Sequence, residues 1–115
     1  MSMKISRLLI EFLYSEDCPN RYAALKVLEK TLKATGVEYE LRHFLVTDDD
    51  EAIRLRFLGS PSIRINGSDV EPNTAELSDF FLHSRIYSTL EGFRGYPSED
   101  LILSAIQATD PALAP

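Results

Sequence analysis

The sequence predicts an α/β domain: a mixed sheet of about four strands flanked by helices, with an insert around residues 68–83. Three observations carry this expectation. The elements read in the order β-α-β-α-β-(insert)-β-α. The first is an almost wholly apolar run, Leu8 to Tyr14, as befits a strand buried on both faces. The third strand ends in Asn66-Gly67, a strong signal for a tight antiparallel turn. The opening β-α-β implies a parallel pair with a right-handed crossover, so the sheet is mixed.

After the first strand comes Ser15-Glu16-Asp17-Cys18-Pro19-Asn20. Asp17 or Cys18 is expected just outside a helix, with Pro19 in its first turn, where a missing N–H does no harm. Leu25, Leu28 and Leu32 recur at helical spacing, with Lys26, Glu29, Lys30 and Lys33 mostly opposite, and Gly36 ends the helix. Val37 to Val46 reads as a second strand in which Tyr39, Leu41 and His43 alternate with Glu40, Arg42 and Phe44. Thr47 followed by Asp50 resembles a capping box that opens a second helix carrying Ile53, Leu55, Phe57 and Leu58, closed by Gly59. Ser60-Pro61 leads into a short strand at Ser62 to Ile65. Thr74 to Phe81 suggests a short helix and Arg85-Ile86-Tyr87 a strand. Gly92, Gly95 and Pro97 punctuate the next stretch, and Ser98-Glu99-Asp100 start a last helix with Leu101, Ile102, Ala105 and Ile106. Leu77, Phe80, Phe81, Tyr87 and Phe93 are expected in the core; were the insert exposed, they would form an apolar patch. Residues 1–108 are taken as one domain and 109–115, with two prolines among small residues, as a flexible C-terminal tail.

The 115 residues hold 18 acidic against 12 basic side chains, for a net charge of −6. Without a basic run, nucleic acid is excluded as a partner. No apolar run reaches the ~18–20 residues of a membrane span, so no membrane partner is expected. The N-terminus, with Arg7 and Glu11 breaking its apolar stretch, does not read as a signal peptide, and the cytoplasm is the expected compartment. Asp48-Asp49-Asp50-Glu51 reads as an acidic helix start rather than a metal site. One cysteine excludes an internal disulfide and an all-cysteine zinc site, and Cys18 is either a lone reactive thiol or a small buried hydrophobe. His43 and His83 are single histidines with no spacing that implies a ligand set. No metal and no cofactor is implied.

Two motifs then converge. Tyr14-Ser15-Glu16-Asp17-Cys18-Pro19-Asn20-Arg21, straight after the first strand, resembles the glutaredoxin form of the redox motif, a Cys-Pro-x-Cys, with Arg21 where the second cysteine would stand. Gly59-Ser60-Pro61-Ser62-Ile63-Arg64-Ile65-Asn66-Gly67 is similar to the same family's cis-proline, strand and turn. With the order of elements, the chain resembles the thioredoxin-like superfamily over residues 5–108. It is also similar to small bacterial thioredoxin-like proteins with a Cys-Pro-Asn segment, a Gly-Ser-Pro strand and a Gly-x-Pro before the last helix, here Gly95-Tyr96-Pro97. The resemblance implies a three-layer fold, a cis bond at Ser60–Pro61, and Cys18 beside Pro61 across a shallow groove. It implies Cys18 as the catalytic residue, with Pro19, Arg21, Ser60, Pro61 and Tyr14 lining the substrate groove.

Chemistry at Cys18 requires the thiolate. A helix start and Arg21 three residues on favour it, while Glu16 and Asp17 oppose it. Dithiol enzymes release a mixed disulfide by attack from a second thiol, which this chain lacks. The resemblance therefore implies at most a monothiol oxidoreductase, acting on an unknown thiol or disulfide partner, protein or low-molecular-weight, and completed by an external thiol. Glu16 and Asp17 stand where monothiol glutaredoxins carry a lysine for glutathione. The alternative is a catalytically inactive binding or adaptor module of the same fold.

Overall fold

A computed structural model describes residues 7–109. Its elements are β1 (Leu8–Tyr14), α1 (Arg21–Thr35), β2 (Tyr39–Leu45), α2 (Asp49–Leu55), β3 (Ser62–Ile65), β4 (Ser68–Asp69), β5 (Tyr87–Thr89), β6 (Gly92–Arg94) and α3 (Glu99–Thr109). The main sheet runs β2-β1-β3-β4, while β5 and β6 form a separate two-stranded sheet. β1 is parallel to β2 and antiparallel to β3, and β3 is antiparallel to β4. The domain is thus α/β, with a mixed four-stranded sheet and three helices. Of the expected tail, Thr109 is the last residue of α3, and 110–115 lie outside the described residues, as do residues 1–6 of the expected domain.

β1 sits at the centre because its side chains can be buried on both faces. Leu8, Ile10 and Phe12 join Ala24, Leu28 and Leu32 of α1, Ile63 and Ile65 of β3, and Ile102 and Ile106 of α3 in one cluster. Leu13, of opposite parity to that set, joins Val46, Ala52 and Phe57 in a second cluster, with α2. Each of these fully buried Leu, Ile or Phe side chains contributes ~1.5–3 kcal/mol.

The turn at Asn66-Gly67 has both residues at positive φ, 50° and 86°, as a two-residue hairpin loop needs. Asn66 also continues the pairing with β1: its N–H donates to the Leu9 C=O, and its Oδ1 accepts from the Leu9 N–H, both at 2.8 Å. Gly36, at φ 70°, closes α1 as expected.

Several expectations are corrected. The cap of α2 is Asp48 rather than Thr47: its side chain accepts from the Glu51 N–H at 2.8 Å, one residue later than the Thr47–Asp50 reading. α2 stops at Leu55, not Gly59. Arg56 turns left-handed at φ 54°, its N–H donating to Ile53 and that of Phe57 to Ala52, which is the closure of a Schellman motif. The Arg64 guanidinium caps that end by donating to the carbonyls of Leu55 and Arg56, so a residue in β3 terminates the helix. Residues 74–81 form no helix, only a turn closed by Leu77 N–H on Thr74 C=O. Four apolar residues in eight, one of them the small Ala75 and with Ser78-Asp79 in their midst, offer too narrow a face to nucleate one. The expected strand at 85–87 is shifted to 87–89 and pairs with 92–94 instead of joining the main sheet, whose fourth strand is β4. The insert therefore begins after Asp69. Tyr87 is in the core, but Leu77, Phe81 and Phe93 are exposed, Phe93 by 76%.

Candidate functional site

The segment between β1 and α1 carries the single thiol. Its first residue, Ser15, is buried, and its N–H donates to Ser60 Oγ at 2.9 Å. The Ser15 C=O accepts from the Cys18 N–H at 3.2 Å, closing a turn over Glu16 and Asp17. Through these two bonds the Cys18 turn is fastened to the loop containing Ser60–Pro61, where the peptide bond is cis. Cys18 is half-exposed; Glu16, Asp17 and Pro19 are exposed.

Cys18 stands further from the helix than expected. Asn20 is the N-cap, and its side chain makes no capping bond; α1 begins at Arg21, whose N–H donates to the Cys18 C=O at 3.4 Å. Pro19 therefore precedes the helix instead of occupying its first turn. The Asn20 side chain packs instead onto Gly95, where any Cβ would fall well inside contact distance of it. That close approach fixes the Gly95-Tyr96-Pro97 segment against the thiol turn, a reason for glycine that sequence reading did not see.

Arg21 does not serve the sulfur. Its guanidinium lies 4.0 Å from the centre of the Tyr14 ring and 5.2 Å from that of Tyr22, and an Nη donates to Tyr14 Oη at 3.3 Å. Tyr14 thus anchors Arg21 at the end of β1, a cation–π contact of about 1 kcal/mol at a half-exposed position.

Ser60 and Pro61 are not an open groove; both are buried. A strap formed by His83, Ser84 and Arg85 lies along them in parallel register, Ser60 opposite Ser84. The Ser60 N–H donates to the His83 C=O at 2.8 Å, and the Ser60 C=O accepts from the Arg85 N–H at 3.0 Å. Gly59, at φ 118°, makes the approach feasible, since a Cβ there would come within 2.9 Å of both Arg85 Cβ and His83 Nε2. The backbone edge that a bound polypeptide would need is already used within the chain.

The strap is held from beneath by a buried polar network. Arg85 donates to Ser62 Oγ (2.9 Å), to both carboxylate oxygens of Asp69, and to Glu71 (2.9 Å). The side chains of Arg85 and Asp69 are each only 6% exposed. Burial pulls the Arg85 pKa down, but the bond and charge of Asp69, with Glu71 behind it, outweigh burial and raise it above its ordinary value. Tyr87 lies under the Arg85 guanidinium, 4.4 Å from it, and donates from its hydroxyl to the Pro61 C=O. Burial raises the Tyr87 pKa well above that of a solvated phenol. No buried side-chain nitrogen or oxygen among the described residues lacks a partner. Sequence reading missed this network; its one visible trace was the period-two spacing of Asp69 with Glu71 and of Arg85 with Tyr87.

His83 donates from Nδ1–H to the Phe81 C=O (2.8 Å), and its ring stacks on Phe81 at 4.0 Å between centroids. His43 is exposed on β2, its ring 5.8 Å edge-on from Phe12. Among the described residues no group of three His, Cys, Asp or Glu side chains is placed to hold a metal ion. A cleft of about 470 Å³ beside the strap is lined by Leu77, Phe81, His83 and Ile86 among others, and does not include Cys18. Among the described residues no helix is long and apolar enough to cross a membrane. Compared with known proteins, the chain matches no family model, no curated protein and no solved structure.

Proposed function

We propose that the chain is a thioredoxin-like domain in which Cys18 acts as a single exchanging thiol, a monothiol oxidoreductase. One observation carries the reading: the turn bearing a half-exposed Cys18 is fastened through Ser15 to the Ser60–Pro61 loop. The sheet order, with a parallel first pair and an antiparallel third strand, is compatible with that fold. In the exchange, the Cys18 thiolate attacks a partner disulfide, forming one S–S bond to Cys18 and releasing the other half as a thiolate. No second cysteine exists to displace the captured half. An external thiolate attacks it instead, leaving as a new disulfide and returning Cys18 to the thiolate.

The covered Ser60 edge bears on the substrate. A polypeptide cannot add backbone bonds there, so recognition falls to the turn that carries the sulfur, Glu16 to Pro19. Glu16 and Asp17, both exposed, disfavour an anionic disulfide at that turn. A small neutral or cationic disulfide fits best.

The same covered edge favours a second reading, a binding module of this fold that performs no sulfur chemistry. Turnover of a small mixed disulfide with an external thiol separates the two. Wild type exceeding Cys18→Ser supports the exchange; equal rates leave the binding module.

A further inference from the structure

We propose that the free edge of β2 pairs two copies of this chain, strand to strand and antiparallel, about a twofold axis at Leu41. β2 is an end strand of the sheet, and its hydrogen bonding fixes which of its groups are unused. Leu8 N–H donates to Glu38 C=O at one end of the β1–β2 ladder, and Val46 N–H to Tyr14 C=O at the other. The alternation of a parallel ladder then aims the N–H and C=O groups of Glu40, Arg42 and Phe44 at β1. Those of Tyr39, Leu41, His43 and Leu45 point outward, where no strand among the described residues takes them.

The two ends of the sheet are treated differently. β4 is two residues long, and Pro72 follows shortly after, so that edge is too short to recruit a partner. β2 is seven residues in unbroken register with β1 and contains no proline, glycine, lysine or bulge. Tyr39 and Leu45 on it are about two-fifths exposed, at 37% and 40%.

The strand is complementary to itself in one register. Outward residues face outward residues wherever the twofold axis lies, so overlap length confines it to the middle of the strand, Glu40 to His43, and an axis at His43 leaves Arg42 opposite Phe44 with no countercharge across the axis. An axis at Glu40 or at Arg42 sets each charge against its own kind. An axis at Leu41 puts Leu41 on Leu41, Tyr39 opposite His43, and Glu40 opposite Arg42 twice. The last two pairs fall at positions without exchanged backbone bonds, where side chains stand closest. Glu40 already pairs with Arg42 (2.6 Å) and Arg7 (3.2 Å) of its own chain, and Arg42 is 55% exposed, so the added carboxylate of the second copy completes an alternating array. This complementarity selects a second copy over a foreign strand.

Sedimentation of the full chain under reducing conditions, into the hundreds of micromolar, tests the pairing without disulfide-linked dimers. A reversible dimer is expected. Arg42→Glu should weaken it about tenfold, and the swap Glu40→Arg with Arg42→Glu should restore it, with circular dichroism confirming that each variant is folded. In a Cys18→Ser background, Leu41→Cys should cross-link between copies, since the facing Cα atoms lie ~5.5 Å apart, whereas Tyr39→Cys should not. A monomer at every concentration, an Arg42→Glu variant that dimerises like wild type, or cross-linking through residue 39 in place of 41 would overturn the proposal.

Discussion

Residues 8–65 and residues 70–95 are held in place by different forces. The first stretch places apolar residues at the periods of a strand and a helix, and β1, α1 and β3 close over them. The second has no such period. It crosses the surface irregularly to the short β5–β6 hairpin, drops Val70 and Tyr87 into the core, and is tied down by polar contacts: Arg85 with Asp69, Glu71 and Ser62, the strap with the Ser60 backbone, and the Leu82 N–H with Asp49. Apolar periodicity specifies elements, while a buried charge network specifies where an irregular segment lies. The segment so fixed is the strap over Ser60, which determines what can reach the candidate site.

The comparison can be broken at Arg85. Arg85→Ala leaves the Asp69 carboxylate buried without its cation and should cost about 3–5 kcal/mol, comparable to Phe12→Ala in the apolar core. Chemical denaturation of the two variants checks this; a loss under 1 kcal/mol for Arg85→Ala would mean that the network does not hold the strap.

Tyr87→Phe removes the donor to the buried Pro61 carbonyl and should cost about 1–3 kcal/mol at neutral pH. It also sharpens the comparison through pH. The folded chain keeps the phenolic proton because burial raises the Tyr87 pKa, whereas the unfolded chain releases its proton near ~10. Above that pH the unfolded state binds fewer protons, so wild-type stability must fall as pH rises. Denaturation midpoints from neutral to alkaline pH should fall less steeply for Tyr87→Phe.

The smallest effect belongs to the first stretch. Asp48→Ala removes the side-chain cap of α2 and should cost ~1 kcal/mol, read as a shift in thermal midpoint. The effect should add to that of Arg85→Ala if the two stretches are independent.

The same contrast governs what could be read in advance. β1, the stop at Gly36 and the Asn66-Gly67 turn follow local rules and were legible. The stop of α2 was not, because Arg56 adopts a left-handed conformation beside a guanidinium from β3, eight residues on. The strap was not, because extended chain without alternation carries no period. At the site, Cys18, Tyr14, Arg21, Ser60 and Pro61 were all singled out, but their relations differed. Arg21 is near Cys18 in sequence, yet the aromatic faces of Tyr14 and Tyr22 hold its guanidinium. Ser60 was expected to line a groove, and it instead joins the thiol turn to the strap.

The central claim is that Cys18 is an accessible, exchanging thiol in the folded chain. Native protein treated with the neutral disulfide 4,4′-dithiodipyridine tests it most directly. The account predicts one equivalent of thiopyridone released without denaturant, none from Cys18→Ser, and an adduct that persists until an external thiol is added. Release only after unfolding would contradict it.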